Sequence, residues 1–576
     1  MAESYFLLAA IFIPLLVAPV AYGIGRKAGV NVATWFTFGA LAVSTGLLAV
    51  PAIGIYNGTQ EVYAESYIWG QFGNFGLRLD GLSLPFALII YILCTVLALY
   101  SKPYMVHKVS EDLPEHKAGH GGGSPPQGGE PGSHGSPNVS GSQLTVLETD
   151  QRVKNQMALY FSLYLAFSMG MLGTVLSTNL IQFYVFFELM LVPSFFLIAF
   201  YGYGARRRIA LMFFFWTHVG AVVLLLGLLA MGFFAGGFDF DTIKANAANI
   251  PAQWLPLIVF ALVLGLGVKL AAFLLHIWLP YAHAEAPTPV SALLSPAMIG
   301  IGAYGLLRLW MELLTGSYEQ YSLYISMWGL STMVYGGAMA LMQDDIKKVL
   351  AYSSISQMGY ILFGLGSESI LGITGGTLMY VTHGLGKAIL FMMAGSIILQ
   401  TGTRSMAKLG GLAGKMPYTA VLAMIGALTI IGIPPTSGFM GEWILFSGFM
   451  QTAAADMDPL RTTMFALGIL ATVLSSAYIL WMYKRIFFGK IPEELAHVKD
   501  SNRYITATMA VFAAMTLIIG VYPDLFLAPI SDYIGGMFEG QEGVLPVPVH
   551  AEGADGGMNL EAEIISSGVE AAEAEH

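Results

Sequence analysis

The sequence predicts an all-α polytopic membrane protein with about 14 transmembrane helices. Three observations predict it. Hydrophobic residues make up 56% of the 576 and charged residues only 11%, against roughly 25% charged in a soluble domain. The mean hydropathy is +0.67, so the charges are too few to cover a water-facing surface and lipid is the solvent. Finally, apolar runs of spanning length recur along the chain, and the basic residues between them alternate from loop to loop.

A crossing needs about 20 apolar residues. Such runs lie near 4–25, 32–55, 81–101, 156–177, 179–202, 208–235, 254–276, 290–313, 322–342, 347–366, 371–400, 418–450, 463–483 and 504–530, taken below as spans 1 to 14. Arg26 and Lys27 follow the first run rather than precede it, so it reads as a retained span, not a signal peptide. Spans 11 and 12 exceed one straight crossing, which predicts tilt or interruption. The basic residues test the count. Twenty of the 26 lysines and arginines fall in loops on the side of the 26–31 turn, three fall in loops on the other side, and Lys269, Arg308 and Lys387 lie within spans. The bias places that turn on the cytoplasmic side and both termini outside.

Six units follow. Residues 1–108 carry spans 1–3. Residues 109–155 form a Gly/Pro/Ser-rich flexible loop. Residues 156–313 hold spans 4–8 and 322–483 hold spans 9–13. Residues 484–530 hold a loop and the last span, and 531–576 an acidic tail. Spans 5 and 7, and spans 11 and 12, each combine mid-membrane charge with Pro/Gly interruption. Such pairing predicts two inverted five-helix repeats with broken helices 7 and 12. His116, His120 and His134 in the loop read as solvated rather than metal-binding.

Ionisable residues at mid-membrane are costly, and their default reading is functional. Glu188 is the one charge of span 5. Lys269 lies in VLGLGVKLAAFLLHIWLPYAHAEAPTPV with no counter-charge in its own helix, so Glu188 is its expected partner. At roughly 6 Å and an effective dielectric near 20, that attraction is about 3 kcal/mol. Moving the carboxylate away would release the lysine proton. Pro280, Pro287 and Pro289 are expected to break span 7, with His276 extending a proton path or capping the break. Lys387 follows His383 by one helical turn, so the two share a face. Glu442 follows the interruption IGIPPTSGFMGEW in span 12. The order minus, plus, plus, minus, with His218, His276 and His383 between, predicts a polar axis along the bilayer midplane, bridged by water. Asp80 reads as the cap of span 3, and Lys347 and Lys348 as interfacial lysines at the start of span 10.

Cys94 is the only cysteine, and no CxxC or Gly-rich nucleotide fingerprint occurs. Electron carriers are therefore expected on other chains. No nucleic acid is expected as a partner.

FFELMLVP, VKLAAFLLHIWLPYAHAEAPTPVSALL, AYGLLRL, DDIKKVLAYSSISQMGY and GIPPTSGFMGEW resemble the successive signatures of the antiporter-like membrane subunit family. That family includes three large chains of respiratory complex I, Mrp-type cation/proton antiporters and membrane-bound hydrogenase subunits. The resemblance spans spans 3 to 12 and is nearest to the M-type chain, because Glu442 stands where an L-type chain is expected to have lysine. It implies a proton-translocating subunit of an NADH:quinone oxidoreductase, or of a relative using another donor such as F420H2. Glu188 is implied as the channel glutamate, Lys269 as its lysine and Glu442 as the terminal carboxylate. FMN, iron–sulfur clusters and quinone are implied on partners, namely L-, N-, K-, J-, A- and H-type membrane chains and a peripheral redox arm in a prokaryotic cell membrane. One position departs from the pattern: Gly300 stands where the M-type chain usually has a span-8 lysine, and Lys387 is a candidate substitute. An Mrp-type antiporter subunit, a hydrogenase module and a structural anchor with relict charges are the competing expectations.

Overall fold

The computed structural model describes residues 5–112, 150–455, 457–540 and 543–546. The loop histidines 116, 120 and 134 and most of the acidic tail lie outside them. In chain order the helices begin with α1 (Phe6–Ala28), α2 (Val30–Tyr56) and α3 (Ser83–Glu111), with a hairpin of β1 (Tyr63–Ile68) and β2 (Asn74–Leu79) before α3. Then come α4 (Gln151–Leu176), α5 (Leu180–Leu189), α6 (Leu191–Tyr201), α7 (Arg206–Ala235), α8 (Phe240–Asn246), α9 (Leu255–Leu270) and α10 (Trp278–Glu285). Span 8 comprises α11 (Thr288–Leu293) and α12 (Ile301–Gly305) with π-helical turns at Leu294–Met298 and Leu306–Glu312. The rest are α13 (Tyr318–Leu341), α14 (Ile346–Leu365), α15 (Ile370–Thr401), α16 (Pro417–Ile431), α17 (Ser437–Ala455), α18 (Pro459–Phe487), α19 (Arg503–Val521) and α20 (Asp524–Met537). Ten of the described helical segments are long and apolar enough to cross a membrane.

Local sequence sets these boundaries. Asp150, Asn179, Asp345, Asp458 and Asn502 each accept hydrogen bonds from the first free backbone N–H groups of the helix that follows. The small hairpin was absent from the all-helical expectation. It pairs antiparallel from Tyr63↔Leu79 to Ile68↔Asn74. Its Glu65 reaches the start of α1, accepting from Leu7 N at 2.7 Å and Leu8 N at 2.9 Å. A carboxylate at a helix N-terminus satisfies orphan donors and meets the positive end of the dipole.

Burial separates two classes of helix. Within their most apolar windows, span 8 is 100% and α15 94% buried by other helices, whereas α1, α7 and α18 are 33% buried. The poorly buried helices present Leu16, Val219, Phe233 and Leu470 outward, as lipid-facing surfaces do. Close approach in the centre uses glycine: a Cβ on Gly364 would lie 2.8 Å from Gly376 Cα, and one on Gly359 would strike the Met333 backbone. Small residues at such crossings are the usual device of membrane helix packing.

Two expectations about interruption divide. Span 12 is broken, with α16 ending at Gly432 (φ 76°) and α17 starting at Ser437. Span 11 is not: α15 runs unbroken for 32 residues. Its glycines lie against neighbouring helices instead of loosening its own ladder.

Two buried ion networks sit near the membrane ends of these helices. Asp80 caps α3, accepting from Ser83 N at 2.8 Å, and it also pairs with Arg308 at 2.7 Å and Arg78 at 3.0 Å. Arg308 further binds Glu312 at 2.7 Å and the hydroxyls of Tyr304 and Tyr533. The cap expected for Asp80 is therefore half of its role. The second network pairs Arg461 with Glu368 at 2.7 Å.

Candidate functional site

Lys269 stands one residue before the end of α9. Span 7 breaks directly after it, at Ala271 (φ 56°) and Leu274 (φ 73°), and helix resumes at Trp278. The prolines expected to cause this break lie beyond it, and Pro280 sits inside α10. What sustains the break is a set of indoles. Trp278 Nε1 donates to the carbonyl of Val268, Trp216 Nε1 to that of Leu275 and Trp328 Nε1 to that of Phe273, each at 2.9 Å. Thr332 Oγ1 accepts from Phe273 N at 3.1 Å. Unwound backbone at membrane depth persists only where such partners replace the helical ones.

Lys269 is 2% exposed, and its ammonium lies 4.8 Å from the centre of the Phe187 ring, a cation–π placement. Glu188 follows Phe187 on α5, near enough for its charge to act on Lys269. The two form no direct ion pair; the expected partnership acts through the charge of Glu188 across space. Glu188 Oε2 instead meets His218 Nδ1 of α7 at 3.0 Å, while Oε1 is buried without a hydrogen-bond partner. Residue spacing cannot reveal this, because His218 becomes the neighbour of Glu188 only through packing of α5 on α7. His276 lies in the unwound stretch, with Nε2 3.1 Å from the Tyr335 hydroxyl and Nδ1 unpartnered.

Lys387 and His383 lie one turn apart on α15, both buried. Lys387 Nζ donates to Leu350 O at 3.1 Å and to Ser353 Oγ, both on α14, and has no carboxylate partner among the described residues. His383 has no partner on either ring nitrogen. The structure adds two residues to this group. His283 on α10 is fully buried, stacks on Phe391 at 5.2 Å and likewise has both nitrogens unpartnered. Lys347 was expected at the interface. It is fully buried, because it turns inward to the carbonyls of Ala284 and Ala286 at the end of α10. The charges of Lys347 and Lys387 both act on His283. An acidic cap immediately before Lys347 makes it look interfacial in sequence; only the crossing of α10 over α14 hides it.

Glu442 lies on α17, directly after the break in span 12, and is 8% exposed. Its carboxylate rests on Gly432, where a Cβ would come within 2.5 Å of Oε2. That glycine is needed twice, for its left-handed φ and for the space. Oε1 of Glu442 is buried without a partner. Buried polar atoms are ordinarily satisfied; Glu442 Oε1 and both ring nitrogens of His283 and His383 are exceptions.

At Gly300 no side chain fits. A Cβ there would collide with the Tyr380 ring, which stacks on Phe86 at 4.2 Å. Tyrosine from α15 fills the position where the resemblance led one to expect a span-8 lysine. Among the described residues no group of three His, Cys, Asp or Glu side chains is placed to hold a metal ion.

The fold is thus a multi-pass helical membrane chain, with buried Lys269, Lys387 and Glu442 gathered at two helix breaks and a central helix. A family model described as NADH:quinone oxidoreductase/Mrp antiporter, transmembrane, matches residues 177–475. The chain is 33% identical over 376 residues to NADH-quinone oxidoreductase subunit M of Rickettsia typhi, covering 65% of this chain and 74% of that one. It is 30% identical over 531 residues, 91% of both chains, to NAD(P)H-quinone oxidoreductase chain 4 1 of a Synechococcus species. The fold matches a chain of respiratory complex I from Thermus thermophilus with TM-score 0.73 and 23% identity, over 92% of this chain and 99% of that one. The chain belongs to the NADH:quinone oxidoreductase/Mrp antiporter transmembrane family.

Proposed function

We propose that the chain is a proton-translocating membrane subunit of a complex-I-type respiratory oxidoreductase, of the M type. One observation carries this: Lys269, Lys387 and Glu442 are buried, each without a direct ion-pair partner, in a chain whose Glu188 and Glu442 oxygens and His283 and His383 nitrogens are also left unsatisfied. Structural charges in membranes are neutralised, as Asp80, Arg308 and Glu312 are here; charges that must change protonation state are left loosely held. Relatives named as subunits of quinone oxidoreductases support the same reading.

In this mechanism Glu188 exchanges between His218 and Lys269. When its charge turns to His218, Lys269 loses electrostatic support in a dry site and gives up its proton. His276, His283, His383 and Lys387 carry the charge across the midplane to Glu442, with water bridging wider gaps. Each proton moved against 100 mV requires about 2.3 kcal/mol. Redox chemistry on partner chains, which would hold FMN, iron–sulfur clusters and quinone, supplies it. The proposed frame is fourteen crossings in a prokaryotic plasma membrane, with two inverted five-helix halves and both termini outside.

The test is proton translocation in native membrane vesicles carrying Glu188→Gln or Lys269→Met. Both variants are expected to lose it with the complex still assembled. Full pumping by both would sink the named pathway. The family description also covers Mrp antiporters; sodium-dependent exchange that needs no electron donor would favour that reading instead.

A further inference from the structure

The sequence offers His383 as the titratable neighbour of Lys387, and water beyond it toward Glu442. The structure places four hydroxyls in that interval. Lys387 Nζ donates to Ser353 Oγ. The Tyr478 hydroxyl donates to Ser475 Oγ at 3.4 Å and lies close to Ser353. Ser475 Oγ lies 3.0 Å from the Tyr360 hydroxyl. The charge of Glu442 acts on both phenols; Glu442 bonds directly to neither, and its buried Oε1 has no partner.

The geometry is built from two helices. Ser353 and Tyr360 are seven residues apart on α14 and share a face, as do Ser475 and Tyr478 three apart on α18. All four are enclosed: Ser353, Tyr360 and Ser475 are 0% and Tyr478 1% exposed. A serine buried in a membrane helix ordinarily satisfies itself on a carbonyl one turn back, as Ser354 does on Leu350 O at 3.0 Å. Ser353 and Ser475 turn to side chains instead.

We propose that Ser353, Tyr478, Ser475 and Tyr360 form a hydroxyl relay that carries protons between Lys387 and Glu442. The proposal deepens the function given above and rests on it. A hydroxyl donates one proton and accepts another. The Lys387 ammonium gives its proton to Ser353 as each hydroxyl passes its own along the row, and Tyr360 delivers the last to the Glu442 carboxylate through a bridging water. The products are a neutral amine and a carboxylic acid. The four hydroxyls are unchanged except in orientation, and rotate back before the next transfer.

The test uses the full chain in its own complex, in native membrane vesicles. Proton translocation is read with a pH-sensitive dye and donor oxidation is read alongside, at equal amounts of assembled complex. Ser475→Ala and Tyr478→Phe are expected to lose translocation to the level of Glu442→Gln. Ser475→Thr, which keeps the hydroxyl, is expected to retain it. If Glu442→Gln stops pumping while Ser475→Ala and Tyr478→Phe pump normally, the relay is overturned and the proposed function stands. The relay is likewise overturned if Ser475→Thr fails as fully as Ser475→Ala, since packing then explains both. If Glu442→Gln pumps normally, the terminal carboxylate and the relay fall together.

Discussion

Replacing Asp80 by asparagine should separate its two roles. The amide oxygen of asparagine still caps α3, accepting from Leu82 N and Ser83 N, which lie 3.2 and 2.8 Å from Oδ1. What is lost is the charge between Arg308 and Arg78. Burial alone would push the Asp80 carboxyl up, but the guanidiniums of Arg308 and Arg78 outweigh it and hold Asp80 at about 2, against a usual 3.8. That difference corresponds to about 2 kcal/mol of folding free energy. The carboxyl is depressed in the folded chain, so the stabilisation is fully present above about pH 4 and is lost as the pH falls toward 2. The assay is SDS-titrated unfolding in mixed micelles, followed by tryptophan fluorescence. Asp80→Asn should cost about 2 kcal/mol at pH 7 and converge on the native chain as both approach pH 2. If the variant matches the native chain at pH 7 to within about 0.5 kcal/mol, the charge does not hold α3 to span 8, and the network is incidental.

Other predictions follow from the packing. Gly300→Ala should cost about 1–3 kcal/mol, because the Tyr380 ring has to move; the same unfolding titration measures it, and an unchanged midpoint would show that the site has slack. Trp328→Phe should free the Phe273 carbonyl and loosen residues 271–277 by about 1–3 kcal/mol, visible as faster amide exchange in that stretch alone. Arg461→Met should leave Glu368 buried without its ion-pair partner and cost about 3–5 kcal/mol. Restoring stability with Arg461→Met/Glu368→Gln would confirm that the unpaired charge is the cause.

Much of the protein follows from composition and periodicity alone. Lipid is the only solvent in which so apolar a chain can fold, and its helices fall where the long apolar runs are. The break in span 12 was legible, because Pro434 and Pro435 stand together in the sequence; the part played by Gly432 was not. Glu188, Lys269, Lys387 and Glu442 could be singled out because charge within an apolar run is conspicuous. What the runs do not contain is which helix meets which. Glu188 turns to His218 and Lys347 turns inward because α5 packs on α7 and α10 crosses α14. The break in span 7 falls before the prolines, since Trp216 and Trp328 from two other helices satisfy its carbonyls and Trp278 ties its far side back to Val268. Gly300 is closed by a tyrosine 80 residues away. The sequence by itself determines the solvent, the helices and the costly charges, because those depend on residues adjacent in the chain. The tertiary structure alone decides the partner of each charge, because in a low-dielectric core a few ångströms of helix packing settle which charge or hydroxyl lies within reach.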